Sequence, residues 1–135
     1  MALQASVTVR NAKLDAIETA VGTSPVLKIR SGAPPADCAT ADSGTVLATL
    51  TLPSDWMAAA ASGAKALSGT WEDTSADASG EAAHFRLYAS DGTTCHLQGT
   101  VTATGGGGDM TLATATITAA TIISVTSFTL TEGNA

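Results

Sequence analysis

Hydrophobic and polar residues alternate along most of this chain, with the period of two that is typical of β-strands. In the segment 26–30, for example, Leu27 and Ile29 face one way and Lys28 faces the other, which predicts a strand with one face in water. The same alternation predicts about seven strands in all. Their expected ranges are 26–30, 45–52, 65–73, 81–90, 95–104, a short strand that starts at 110, and 121–131.

One segment, residues 6–21, has the spacing of a helix instead. Ser6 or Thr8 can cap its start, and Gly22 followed by Pro25 marks its end. Its apolar stripe consists of Val7, Leu14, Ile17 and Val21. Because this stripe is narrow, we expect the helix to lie on the sheet or on a partner chain.

Turn residues separate the predicted strands. Asp91-Gly92 favours a tight hairpin turn, because a primed turn needs positive φ, and this turn would pair its two flanking strands antiparallel. The Pro, Gly and Asp residues of 31–44 predict a long loop. The four glycines of 105–108 predict a flexible loop tip.

Two irregular segments are also expected. Ser54 or Asp55 could cap a short helical turn over 56–61. In the last strand the apolar residues change phase halfway, which predicts a β-bulge near Thr126 and Ser127.

These elements predict a single, mainly β domain over residues 1–135. The helix is expected at about 6–21, and an antiparallel, jelly-roll-like β-sandwich at about 25–132. A chain of this length can bury roughly two-thirds of its unfolded surface. Because only 4% of the residues are aromatic, we expect small and medium aliphatic side chains to fill the core.

Charge is scarce and unevenly distributed. Only 13% of the residues are charged, and the segment 92–131 contains thirteen threonines but one charged residue, Asp109. A protein that lacks charge over such a stretch is expected to cover part of it with another chain. The net charge of −6 and the scattered positions of the six basic residues argue against a nucleic-acid partner.

Membrane signals are missing from the sequence. The amino-terminal segment lacks a basic start followed by an apolar run, so we expect no signal peptide. No apolar stretch approaches the ~18 residues that a transmembrane helix needs. We therefore expect no membrane partner.

Catalytic motifs are missing as well. No Gly-x-Ser-x-Gly elbow occurs, and His84 and His96 fall in predicted strands beside Thr, Arg and Gln. We therefore expect no enzymatic activity and no cofactor. Trp56, Trp71 and Tyr88 could form a sugar-stacking platform, although isolated aromatic residues are more often core residues or interface anchors.

Two groups of residues have the atom types of metal ligands. Cys38 and Cys95 with the two histidines could bind zinc, but strand alternation places Cys95 and His96 on opposite faces. That arrangement favours a buried cysteine and an exposed histidine. The acidic residues of 72–81 could bind calcium, but they lack the EF-hand pattern, which favours a solvated connection. We expect no metal ion.

Cys38 and Cys95 are candidates for one long-range disulfide. A separation of roughly 57 residues would make this bond worth about 4 kcal/mol in the chain-entropy model. Nothing else in the sequence indicates an oxidising compartment, so two free thiols are the alternative.

Five segments carry a resemblance to a known family. They are 5–32, 41–48, Leu52-Pro-Ser-Asp-Trp-Met57, His84-Phe-Arg86 and Cys95-His-Leu-Gln-Gly-Thr-Val101. They resemble a family of small proteins encoded in the structural gene clusters of tailed bacteriophages and prophages. The resemblance covers nearly the whole chain, and the family has no catalytic motif to carry over.

The resemblance implies a non-enzymatic virion structural protein, most like a capsid decoration or cement protein. Such a protein would be made in the cytoplasm of the bacterial host. It would bind the capsid exterior, contact the major capsid protein and stabilise the contacts between its subunits. We expect a homo-oligomer, either a dimer or a trimer. The alternatives are a receptor- or glycan-binding module of a tail fibre or spike, and a neck or tail connector component.

Uncharged threonine faces lose their water cheaply, so they are the expected contact surfaces. The expected contact residues are Arg10 and Leu14 on the helix, and Gln98, Thr100 and Thr102 on the strand 95–104.

Overall fold

The computed structural model describes residues 2–133, which form one helix and ten strands. The helix α1 spans Val7–Val21. The strands are β1 (Val26–Arg30), β2 (Val46–Thr51), β3 (Ala64–Ala66), β4 (Glu72–Asp73), β5 (Gly80–Glu81), β6 (His84–Tyr88), β7 (Cys95–Ala103), β8 (Met110–Leu112), β9 (Thr116–Ile117) and β10 (Ile123–Thr131).

Most of the strands belong to one continuous, curled sheet in the order β2-β1-β6-β7-β8-β10-β3. β4 pairs with β10 beside this path, and β5 and β9 form a separate two-stranded sheet. Neighbouring strands are antiparallel except β7 and β8, which are parallel. The predicted mainly β class with one amino-terminal helix is confirmed. The predicted division into the two stacked sheets of a sandwich is not confirmed.

The curl brings the two ends of the sheet together. On β2, the Thr49 backbone N–H donates a hydrogen bond of 2.9 Å to the carboxylate of Asp73, the last residue of β4. The Leu47 carbonyl accepts a hydrogen bond of 2.8 Å from the Asp77 backbone N–H. These bonds form a seam between β2 and the segment that follows β4, and they enclose the core.

The helix begins and ends where the sequence predicts. The Ser6 hydroxyl caps its start by accepting a hydrogen bond of 3.2 Å from the Val9 backbone N–H. Gly22 ends it with a φ of 90°, a conformation that favours glycine. Leu14 and Val21 are the buried helix residues, so only part of the predicted stripe faces the protein interior.

Aliphatic side chains make up most of the core, as the composition predicts, and aromatic rings join them. All five aromatic side chains of the protein are buried: Trp56, Trp71, Phe85, Tyr88 and Phe128. Four of them form a chain with ring-centroid distances of 5.9 Å for Trp56–Trp71, 5.6 Å for Trp71–Phe128 and 5.5 Å for Phe85–Phe128. The composition did not show that these few rings would lie together.

The predicted hairpin between β6 and β7 is confirmed, with a different turn from the one expected. The strands are antiparallel, but positive φ occurs at Gly92 only. The Asp91 side chain instead holds the turn by accepting hydrogen bonds of 2.8 and 2.9 Å from the Thr93 and Thr94 backbone N–H groups. A register shift follows, so that Tyr88 pairs with Cys95.

The two irregular segments have different outcomes. The bulge predicted near Thr126 is confirmed by a register shift between Val125 and Ser127. The helical turn predicted over 56–61 is wrong, because this segment forms isolated bridges, one of them between Met57 and Leu67. The strand predicted over 65–73 is divided into β3 and β4, which pair with different parts of β10.

Two glycines of the run 105–108, Gly106 and Gly108, lie close to β7, while Gly105 and Gly107 have open space beside them, as the predicted loop tip would. Added Cβ atoms would lie 2.7 Å from the Thr102 Cβ at Gly106 and 2.9 Å from the Thr102 backbone nitrogen at Gly108. The chain therefore folds back closely enough for β8 to enter the sheet parallel to β7. Parallel neighbours usually need a much longer connection, so the missing side chains are essential here.

We expect Gly108→Ala to lower the free energy of unfolding by about 1–3 kcal/mol, because the new methyl group meets backbone that cannot move aside. Urea unfolding of the purified protein measures this change. Gly133→Ala is the matched control, since an added Cβ there meets nothing within 4 Å. Equal stability of the two variants would contradict the close packing of the run.

Candidate functional site

The helix residues expected at an interface are already engaged within the chain. Leu14 is only 1% exposed, so its side chain is removed from the expected contact surface. Arg10 is half-buried and donates a hydrogen bond of 3.3 Å to the Glu132 carbonyl. Leu14 belongs to the apolar stripe that was expected to lie on the sheet or on a partner chain, and α1 packs beside β3 and the end of β10 of its own chain.

The three expected contact residues of β7 lie in different surroundings. The Gln98 amide donates a hydrogen bond of 2.7 Å to the Pro35 carbonyl, so the loop 31–44 covers this side chain. Thr102 is half-buried under the glycine run and accepts a hydrogen bond of 3.0 Å from the Gly108 backbone N–H. Thr100 alone of the three is exposed.

A buried polar cluster lies under the loop 31–44, which we call the covering loop. The two guanidinium groups of Arg30 and Arg86 both bind the Asp42 carboxylate, and the Arg30–Asp42 distance is 2.8 Å. The Tyr88 hydroxyl donates a third hydrogen bond of 2.7 Å to the same carboxylate. We call these four residues the arginine cluster. Arg30 was expected on a wet strand face, but it is only 6% exposed because the covering loop shields it.

The arginine cluster fastens the covering loop to the sheet. Arg86 also donates hydrogen bonds of 2.8 Å to the Asp37 carbonyl and 3.0 Å to the Thr40 carbonyl. Burial alone would raise the pKa of Asp42, but its hydrogen bonds with Tyr88 and Arg86 and the charge of Arg30 hold that pKa below its usual value. The carboxylate therefore stays ionised, as two buried cations require.

Sequence reasoning missed the arginine cluster, although a signal for it exists. Two arginines at alternating positions of predicted strands are unusual in a chain with six basic residues. An acidic residue in a long neighbouring loop, here Asp42, is the natural counter-charge. That combination predicts a loop folded over the strands. The alternation of polar and apolar residues alone does not predict such a loop.

A buried histidine lies close to the arginine cluster. His84 is fully buried, and its Nδ1 lies 2.7 Å from the Gly32 carbonyl. Burial lowers the pKa of His84, and the charges of Arg30 and Arg86 lower it further, so the ring is neutral at pH 7. Its Nε2 has no hydrogen-bond partner among residues 2–133.

The two cysteines meet at the edge of the arginine cluster. The Cys38 and Cys95 sulfur atoms are 2.6 Å apart, and both residues are half-buried free thiols. The shift in register at Tyr88 turns Cys95 toward the covering loop. Burial, with a further contribution from Cys38, raises the pKa of the Cys95 thiol to about 12.

The other candidate ligand sites are occupied by internal contacts. Trp56, Trp71 and Tyr88 are buried and form no exposed sugar platform. In the acidic segment, Asp73 and Asp77 accept hydrogen bonds from Thr49, at 2.9 and 2.7 Å. Among residues 2–133, no group of three or more His, Cys, Asp or Glu side chains is arranged to hold a metal ion. Within the same range, no helix is long and apolar enough to cross a membrane.

Every lysine and arginine in the chain contacts another part of the same chain. Arg10 and Lys13 contact Glu132, Lys28 donates to the Gly92 carbonyl, Arg30 and Arg86 bind Asp42, and Lys65 binds Asp15 and Glu18. The acidic residues outnumber the basic ones by twelve to six. Lys13 is 56% exposed, and the other five basic residues are buried or half-buried, so the outer surface of the described residues is mainly acidic or uncharged.

One exposed region has no charged residue of its own and contains internally bonded hydroxyl groups, and Glu72 borders it by accepting a hydrogen bond of 3.3 Å from the Ser124 hydroxyl. We call it the uncharged surface, and its exposed residues are Ala113, Thr114, Ile122, Ser124, Thr126, Ser127 and Thr129. The Thr126 hydroxyl lies 3.1 Å from that of Thr104 and 2.8 Å from that of Thr111. Ile122 is 65% exposed and, with Ser124, borders a shallow cavity of about 150 Å³.

Comparison with known proteins adds no identification. No family model, no curated protein and no solved structure matches this chain.

We expect Asp42→Asn to lower the free energy of unfolding by about 2 kcal/mol at neutral pH. Breaking a fully buried ion pair costs about 3–5 kcal/mol, and we expect a smaller loss here because Asp42 is partly exposed. Because the pKa of Asp42 is lowered by folding, its contribution is present above the unfolded value near 3.9 and is lost as the pH falls through the folded pKa. Urea unfolding at a series of pH values measures both effects. Asp55→Asn removes a charge from an exposed position and serves as the control.

We expect Cys38 and Cys95 to form a disulfide when the folded protein is treated with oxidised glutathione. Exchange would join the two sulfur atoms and release two molecules of reduced glutathione, so intact mass falls by two hydrogen atoms. The raised pKa of Cys95 makes the reaction faster at higher pH. Peptide mapping identifies the bond, and Cys38→Ser is the control. Stable glutathione adducts without an internal bond would contradict this expectation.

Proposed function

We propose that this chain is a non-enzymatic structural protein of a tailed-phage virion, and that it acts as a decoration protein on the outside of the capsid. It would bind the major capsid protein and stabilise contacts between capsid subunits. The resemblance described above supports the setting, since it extends over nearly the whole chain. The properties of the described surface support a role in binding instead of catalysis.

The uncharged surface is the observation that carries this proposal. The hydroxyls of Thr126 and Ser127 already bond to neighbouring threonine hydroxyls, so covering these two with another protein removes few bonds to water. The exposed Ile122 adds apolar area to the same region. A surface of this kind suits a contact that depends on shape and apolar burial more than on charge.

The charge distribution narrows the kind of partner. Because every basic side chain has a contact within the chain, none projects as a free cation to neutralise phosphate groups. A protein surface is therefore the proposed partner, and DNA inside a capsid is not.

The alternatives within the same setting have less support. A glycan-binding module of a tail fibre or spike would need aromatic rings on its surface, and all five rings are buried. A neck or tail connector has no specific observation in its favour.

The copy number and location of the protein in purified virions test the proposal directly. We expect cryo-EM and quantitative mass spectrometry to find many copies distributed over the capsid shell. A few copies at the neck or tail would contradict the decoration role. Virions that lack the protein should rupture at a lower temperature than complete virions, and an unchanged rupture temperature would contradict the stabilising role.

A substitution tests whether the uncharged surface makes the contact. We expect Ile122→Lys to weaken adsorption to capsids that lack the protein, because it places a charge in a region that would be desolvated. It should leave unfolding unchanged, since Ile122 is largely exposed. Ser90→Lys adds the same charge at the exposed β6–β7 turn and is the control. Equal adsorption of both variants would assign the contact to another surface.

A further inference from the structure

The covering loop is attached to the sheet through side chains of the sheet. Among residues 2–133, the loop segment 32–43 forms no backbone ladder with a strand. Its backbone carbonyls instead accept hydrogen bonds from side chains of β1, β6 and β7. These bonds join His84 to Gly32 at 2.7 Å, Gln98 to Pro35 at 2.7 Å, Arg86 to Asp37 at 2.8 Å and to Thr40 at 3.0 Å, and Arg30 to Ser43 at 3.5 Å. A few polar side chains therefore hold the loop closed.

Apolar burial adds little to this attachment. Every residue of the covering loop is exposed or half-buried. Its apolar residues are mainly alanine and proline, which offer little apolar area, and most of them face water: Ala33, Pro34, Ala36, Ala39 and Ala41. The loop therefore depends on its polar contacts, and losing one of the main contacts is expected to open it locally while the core stays folded.

The Asp42 carboxylate is the first fastening of the loop. It binds the guanidinium groups of Arg30 and Arg86 and accepts a hydrogen bond from the Tyr88 hydroxyl. Without this carboxylate, two buried guanidinium groups would have no counter-charge, which is strongly unfavourable. Opening of the loop would relieve this, because water would then reach both groups.

The two cysteines form a second fastening near the middle of the loop. Cys38 lies in the loop, and its sulfur atom is 2.6 Å from that of Cys95. Cys95 is the first residue of β7 and is held in the sheet by its pairing with Tyr88. Both cysteines are half-buried free thiols, so a small thiol reagent can reach them. As thiols they add little to the attachment, whereas a disulfide would tie the loop to the sheet covalently.

We propose that Cys38 and Cys95 form a redox latch on the covering loop. In the reduced protein the loop stays closed only while Asp42 binds the two guanidinium groups. In the oxidised protein the disulfide keeps the loop closed without this contact. Oxidised glutathione takes up the two electrons and two protons of the thiols and leaves as two molecules of reduced glutathione, and an excess of the reduced form reverses the step. The latch gives a role to the bond expected above, and it does not depend on the capsid role.

The state of the latch determines the charge of this part of the surface. Arg30 and Arg86 are only 6% and 2% exposed while the loop is closed. Opening would uncover both guanidinium groups on an exterior that is otherwise mainly acidic or uncharged. Oxidation therefore keeps a cationic patch covered, and reduction allows it to be exposed.

Limited proteolysis with elastase measures the opening, because elastase cleaves after small residues such as Ala36 and Ala39 in the loop. The segment 58–61 also contains exposed alanines and is the internal reference in every digest. Asp42→Asn and wild type are compared in the reduced and oxidised states, which intact mass verifies before digestion. We expect relative cleavage of the loop to be at least roughly tenfold faster in reduced Asp42→Asn than in reduced wild type. In the oxidised state the two proteins should be cleaved at the same relative rate.

Three variants complete the experiment. Asp55→Asn removes an exposed charge elsewhere and should leave loop cleavage unchanged. Cys38→Ser, added to Asp42→Asn, should abolish protection by the oxidant, because the second thiol is missing. Tyr88→Phe removes one bond to Asp42 and replaces Asp42→Asn if that variant does not fold. Equal cleavage of reduced Asp42→Asn and reduced wild type would overturn the proposal. Rapid loop cleavage in oxidised Asp42→Asn, or the failure of the disulfide to form, would overturn it as well.

Discussion

The curl of the sheet depends on the contact of four aromatic rings across its inside. Trp56, Trp71, Phe128 and Phe85 follow one another at spacings between 5.5 and 5.9 Å, and they come from widely separated parts of the chain. Each large ring buries far more apolar area than an alanine or a threonine, so the four rings add to the burial that the aliphatic core residues provide.

The second constraint is the distribution of charge. Burying an unpaired guanidinium group costs free energy. Asp42 pairs with both buried guanidinium groups, and this contact fixes the covering loop in place. Lys65 is buried in a similar way between Asp15 and Glu18 beside the helix. Because most of the cations fasten the loop and the helix, the exterior is left mainly acidic or uncharged, and the proposed function depends on that exterior.

Local signals predicted the elements that local chemistry determines. The helix and the hairpin at Gly92 each have a cap or turn residue whose backbone preference acts within a few positions, and the bulge at Thr126 shows as a change of phase in the apolar pattern. Alternation located most of the strands, but it joined β3 and β4 into one and did not show β9. It could not show that most of the strands join one curled sheet, because alternation identifies the faces of a strand and not its neighbours.

The candidate sites were less predictable because they depend on contacts between distant segments. Leu14 has the same sequence environment whether it packs on its own sheet or on a partner, and only the position of β3 decides between them. The alternation of β7 predicts an exposed side chain at Gln98, but the covering loop lies over this residue. The pairing of Cys38 with Cys95 was among the alternatives left by the sequence, and their contact follows from the same loop.

In the seam that closes the sheet, a carboxylate from Asp73 takes the place of a neighbouring strand's carbonyl at the Thr49 backbone N–H. A side chain can rotate away on its own, whereas a ladder carbonyl moves only with its whole strand. The structure therefore has a built-in line of local opening, along which β2 can separate while the rest of the sheet stays paired. In hydrogen exchange, the amide of Thr49 would then report on the breathing of the closed sheet, while the amides of β6 would report on its global unfolding.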